Sequence, residues 1–137
     1  MSDYRESVTK IGIPEGVESV YLKGFNNLSY LYTPHGVKNV EIEKSGLERI
    51  DMEDGVTDIS LKGCKSLVSV RIPSGATNID LSGCSSLRSV KISEGVKRID
   101  ASAFDGCVSL SYLAVPSGIE MTGDFSWIDR IDYDFWG

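Results

Sequence analysis

Apolar residues recur in this chain at a fixed short spacing, broken by glycine. After Gly16, Gly36, Gly55, Gly75 and Gly95 comes the same apolar–x–x–apolar–x–apolar order. It reads Val17, Val20, Leu22; Val37, Val40, Ile42; Val56, Ile59, Leu61; Ala76, Ile79, Leu81; and Val96, Ile99, Ala101. A turn follows, and then a second alternating set: Leu28, Leu31; Leu47, Ile50, Met52; Leu67, Val70, Ile72; Leu87, Val90, Ile92; and Leu110, Leu113, Val115. Alternation over a few residues closed by Gly or Pro predicts half-buried strands. No stretch places apolar residues at helical spacing over three turns, so the chain is predicted to be mainly β.

The glycines at 16, 36, 55, 75, 95 and 118 are separated by steps of 19 to 23 residues. A unit this short cannot bury its apolar side alone, but it can when stacked on copies of itself, strand upon strand at about 4.8 Å. The expectation is a right-handed solenoid of about six coils with two short strands per coil. Equivalent residues then form columns. Leu28, Leu47, Leu67, Leu87 and Leu110 make one buried ladder, and Pro14, Pro34, Pro73 and Pro116 end second strands where no ladder hydrogen bond is required.

The stretch VKRIDASAFDGCVSLSYLAVPSGI, residues 96–119, resembles the leucine-rich repeats of the BspA type, also called the Treponema pallidum type. The resemblance lies in its AFDGC, the following Leu and the closing VPSG, and it extends over residues 11–119. Only this coil has the family's full 23-residue length; the others lack the AF pair. The resemblance implies a leucine-rich-repeat solenoid and a binding scaffold for other macromolecules. Residues 1–13 are read as an N-terminal cap half-coil, 14–119 as repeats, and 120–137, with both tryptophans, as an aromatic and acidic C-terminal cap.

Composition narrows the classes. The chain has 137 residues, enough for one continuous core, with 41% apolar and 25% charged residues. Fourteen Lys and Arg stand against twenty Asp and Glu, a net charge of −6. That balance repels nucleic acid and anionic membranes, arguing against direct nucleic-acid binding and favouring basic partners. No apolar run approaches the roughly 20 residues of a membrane span, and the start MSDYRESVTK lacks the apolar core of a signal peptide. A cytoplasmic protein is expected.

Candidate chemistry is sparse. Cys64, Cys84 and Cys107 share one column with Phe25 and Ser45, at spacings unlike a zinc site, and read as small buried core residues. The one histidine, His35, lies in a turn between Pro34 and Gly36. No phosphate-binding loop, zinc-protease helix or calcium loop occurs, so no enzyme, cofactor, metal site or small-molecule substrate is expected.

The outward positions carry the functional expectation. On the second strands these include Tyr30, Tyr32, Arg49, Asp51, Arg71, Lys91 and Tyr112, read as one sheet, basic in its middle with tyrosines at either end. Tyrosine and arginine are the residues enriched at interface hot spots, so this face is expected to bind another protein. The first strands give a mainly acidic face: Glu41, Asp58, Asp80 and Asp100, joined by Asp129, Asp132 and Asp134 of the cap. The alternative expectation is a small acidic inhibitor that uses this charge to block a nucleic-acid-binding or nuclease partner.

Overall fold

A computed structural model describes residues 7–133. Each coil contributes one strand to each of two faces. The first-strand series is β1 (Ser19–Lys23), β3 (Asn39–Glu43), β5 (Asp58–Ser60), β7 (Asn78–Asp80), β9 (Arg98–Asp100) and β11 (Glu120–Thr122). The second-strand series is β2 (Tyr30–Thr33), β4 (Arg49–Met52), β6 (Ser69–Ile72), β8 (Ser89–Ile92), β10 (Tyr112–Ala114) and β12 (Arg130–Asp132). Every pairing is parallel and joins equivalent residues of successive coils, as in Val20↔Val40, Val40↔Ile59 and Ile59↔Ile79. The fold is a mainly β solenoid of about six turns with parallel strands, and among the described residues it has no α-helix.

The interior follows the columns. Leu28, Leu47, Leu67 and Leu87 are fully buried and Leu110 nearly so, with Leu31, Ile50, Val70, Val90 and Leu113 stacked as a second ladder. Residues 120–132, expected to close the core as a cap, also supply strands: β11 pairs with β9 and β12 with β10. Phe125 of this last turn meets Phe104 edge to face, with ring centroids 6.4 Å apart.

Neither face is one uninterrupted sheet. On the first-strand side β1-β3-β5-β7 form one sheet and β9-β11 another; on the second-strand side the break falls between β4 and β6. The first break has a visible cause. A 3-10 helix at Ala101–Phe104, the AF of the long coil, follows directly on β9. In the preceding coil Leu61 N–H donates to the Asp80 carbonyl, 19 residues ahead, whereas Leu81 N–H reaches the Ala103 carbonyl, 22 residues ahead. The inserted residues push the register forward by three, and β9 no longer pairs with β7.

The shortest coil is accommodated by a glycine. A Cβ on Gly46 would lie 2.0 Å from the Asn26 carbonyl oxygen, so the backbones approach too closely there for any side chain. Two residues earlier, Lys44 occupies a column otherwise filled by glycine. It holds φ at 52° where Gly24, Gly63, Gly83, Gly106 and Gly123 lie between 74° and 91°.

Candidate functional site

On the second-strand face, Tyr30 and Tyr32 of β2 stand 46% and 44% exposed. They point outward because Leu31 and Thr33, alternating with them, take the buried side of the strand. Their hydroxyls are not loose. Tyr30 donates to Asp51 Oδ2 at 2.9 Å, and Tyr32 donates to Glu53 Oε1 at 2.9 Å. Both acceptors belong to the next coil, and these hydrogen bonds to carboxylates raise the phenol pKa values above their ordinary 10.0. Arg49, in register with Tyr30, pairs with Asp51 at 3.2 Å and places its guanidinium 5.9 Å from the Tyr30 ring centre. The result is an ordered block of two tyrosines, one arginine and two carboxylates.

Further along, Arg71 of β6 reaches back to Asp54 at 3.1 Å. Asp54 also accepts the Ser74 N–H, and that bond, with Arg71 beside it, holds its carboxyl below the usual range. Lys91 lies in register with Arg71 on β8. Tyr112 sits on β10, half-buried, its hydroxyl 3.3 Å from Asp132 and its ring 5.6 Å from the Arg130 guanidinium.

Two expectations are corrected here. The seven residues do not share one sheet: Tyr30, Tyr32, Arg49 and Asp51 lie on β2-β4, and Arg71, Lys91 and Tyr112 lie on the sheet beyond the break. Nor is the middle simply basic, because Arg49 and Arg71 are each matched by a carboxylate. A shallow cleft of about 380 Å³ marks the junction, with Arg49, Asp51, Arg71 and Lys91 on its walls. Sequence reading overlooked Glu53, Asp54 and Arg130 as partners of this face. Their signal was a spacing of about one coil from the tyrosines and arginines they hold.

The first-strand face carries the acidic residues. Glu41 and Asp80 share one column through Ser60, and Asp58 lies in the neighbouring column, accepting from Asn78. Asp80 accepts the Ser82 N–H at 2.9 Å. Asp100 accepts from the Ser102 hydroxyl, the Thr122 hydroxyl and the Ser102 N–H, which together lower its pKa to about 2. Asp80 and Asp100 read as successive members of one column, but the β7–β9 break separates them. Among the described residues none of Glu41, Asp58, Asp80 and Asp100 is in an ion pair, while Arg98 beside them pairs with Glu120 at 3.7 Å. A groove of about 590 Å³ runs over this region, floored by Val40, Ile59, Ile79 and Ile99 and walled by the four carboxylates. Asp129 is exposed in the turn before β12, and Asp132 lies on the opposite face beneath Tyr112. Asp134 lies outside the described residues.

The thiols occupy the interior. Cys84 donates to the Leu61 carbonyl at 3.1 Å and Cys107 to the Leu81 carbonyl at 3.0 Å, each reaching the coil before it. Ser45, in the same column, does the same to Phe25 O at 3.1 Å. Burial raises the thiol pKa values to about 11, 12 and 11 for Cys64, Cys84 and Cys107. A thiol held neutral is a poor nucleophile, and exposed His35 in its turn is not beside any of these buried sulfurs. No helix among the described residues is long and apolar enough to cross a membrane.

Comparison with known proteins agrees with this geometry. The family model for the BspA type leucine rich repeat region matches residues 3–80 and 37–128, in six copies. Neither the curated proteins nor the solved structures gave a match. With parallel coils, the leucine ladders and a family match over most of its length, the chain belongs to the BspA-type leucine-rich repeat family.

Proposed function

We propose that this protein is a non-catalytic scaffold that docks another protein on its second-strand face. The observation carrying this reading is the tethering of Tyr30 and Tyr32. Both rings are nearly half exposed, yet Asp51 and Glu53 hold their hydroxyls in place. Aromatic side chains fixed before binding lose little conformational entropy when a partner covers them, which favours tight recognition. The family supports the reading too, since leucine-rich repeats are scaffolds often used for protein interaction.

The test is a capture from host lysate with wild type, Tyr32→Ala and Arg71→Ala bait, each first shown to be folded by circular dichroism. The same partner is expected with wild type, at least tenfold depleted with either variant. A partner retained equally by all three folded baits would refute the docking face.

A second reading draws on the unpaired carboxylates of the opposite face. In it the protein is a small acidic inhibitor that blocks a nucleic-acid-binding or nuclease partner. Attraction between exposed charges is screened by salt, so a partner captured this way must be released at about 0.5 M salt. A capture that survives such salt excludes it.

A further inference from the structure

Of the two interruptions in the sheets, the one between β4 and β6 is bridged by the ion pair from Arg71 back to Asp54. Between β7 and β9 no ion pair is found among the described residues, and backbone bonds resume only past the strands, from Leu81 N–H to the Ala103 carbonyl. β7 is the terminal strand of its sheet and β9 the terminal strand of the next, so each turns an edge without ladder partners toward the other. Such edges present backbone N–H and C=O groups that an added strand can satisfy. The groove of about 590 Å³ lies over this point, taking in residues of both β7 and β9.

The side chains here are ordered in rows. Ile59, Ile79 and Ile99 form the inner row, and Ile79 is partly exposed although its neighbours are buried. Asp80 and Asp100 flank the outer row, with Asp58 and Glu41 one and two strands away. An extended chain places successive side chains on opposite sides. A segment lying between β7 and β9 would therefore set every second side chain against isoleucine and the alternate ones between carboxylates.

We propose that the β7–β9 interruption is a docking slot for one extended segment of a partner protein in which apolar and Lys or Arg residues alternate. The segment adds its backbone to the two open edges, a mode known as β-augmentation, and its cations meet Asp80 and Asp100. Charge complementarity selects this occupant, because four carboxylates line the groove and its one arginine is already paired with Glu120. The slot lies on the face opposite the tyrosines and stands whether or not they bind.

The test uses the full chain and a fluorescein-labelled peptide, Lys-Val-Lys-Val-Lys-Val-Lys, read by anisotropy. Controls are its Glu-for-Lys counterpart and a version with proline at the central valine, which removes a backbone donor. The basic peptide is expected to bind at least about tenfold tighter than either control. Asp80→Asn with Asp100→Asn should weaken it by a similar factor, since the amide oxygen can still accept the Ser82 and Ser102 N–H bonds. If that double variant does not fold, hydrogen exchange on wild type decides: bound peptide must slow exchange at Ile79, Arg98 and Asp100, the amides facing the gap, since Thr77 and Asn78 already donate to the Thr57 carbonyl. Equal binding of the basic peptide and its controls, no binding at all, or protection confined to the tyrosine face overturns the proposal. So does a free protein found by sedimentation to be a dimer with those amides already protected, because a second copy would then fill the slot.

Discussion

The Cys107 thiol donates to the carbonyl of Leu81 across the stack, at 3.0 Å, just as Cys84 does to Leu61 one coil earlier. The column is a set of small hydrogen-bonding plugs, in which serine at position 45 serves as well as cysteine elsewhere.

That arrangement makes the thiols inert while the fold is intact. A thiol reagent at about pH 8 should leave all three unmodified in the native protein and label them only on denaturation. Rapid labelling of any one in the native state would contradict their burial. The same shifts set an alkaline limit. The unfolded chain loses its thiol protons near pH 9.0, while the folded chain keeps them to about 11 or 12. The unfolded state then binds fewer protons, so stability is full below about pH 9 and declines from there to about pH 12. Urea midpoints measured between pH 7 and pH 11 should show the fall, and Cys84→Ser should reduce it.

Leu67 is fully buried in the middle of the leucine ladder, with Leu47 and Leu87 as its column neighbours. Leu67→Ala removes apolar contact and leaves a void that parallel backbones cannot close. A loss of about 2–5 kcal/mol is expected, read from denaturant unfolding.

Lys44 and Gly46 make an opposed pair of tests within one turn. Lys44 holds a left-handed backbone that disfavours side chains, so Lys44→Gly should stabilise the fold by about 1 kcal/mol. Gly46→Ala should do the reverse, by about 1–3 kcal/mol, because the added carbon meets the Asn26 carbonyl. Melting temperatures of the two variants should move in opposite directions.

Thr33 and Ser93 are buried, and neither hydroxyl has a hydrogen-bond partner among the described residues. Thr33 falls where Ile72 and Ile92 stand in later coils. Thr33→Val keeps the shape and removes an unsatisfied polar group, so a gain of about 1 kcal/mol is expected. An unchanged or lower melting temperature would show that the hydroxyl is satisfied in solution.

The columns were legible in the sequence because stacking forces chemically equivalent residues to recur, and Leu67 under Leu87 is the plain instance. Outward rows followed from the same alternation, so Tyr30 in register with Arg49 and Arg71 with Lys91 could be read directly. The breaks could not. Whether β7 pairs with β9 depends on how the turn Ala101–Phe104 absorbs its extra residues, which is a matter of three-dimensional register. Charge was also misjudged on the second-strand face. A column pairs Tyr30 with Arg49, but a long side chain reaches diagonally, and the tyrosine hydroxyl finds Asp51 instead. Asp132, counted with the acid face, ended beneath Tyr112 because residues 130–132 form another strand.

The two interruptions lie at different heights along the molecule, between the second and third coils on one face and between the fourth and fifth on the other. They are offset like the joints in a bonded brick wall. At each level where one ladder is parted, the opposite ladder runs through unbroken. No single cross-section severs both, so the chain has no ready cleavage plane at which its halves could melt separately. A repeat protein gains its cohesion from neighbour contacts, and this staggering lets it open one face locally while remaining a single cooperative body.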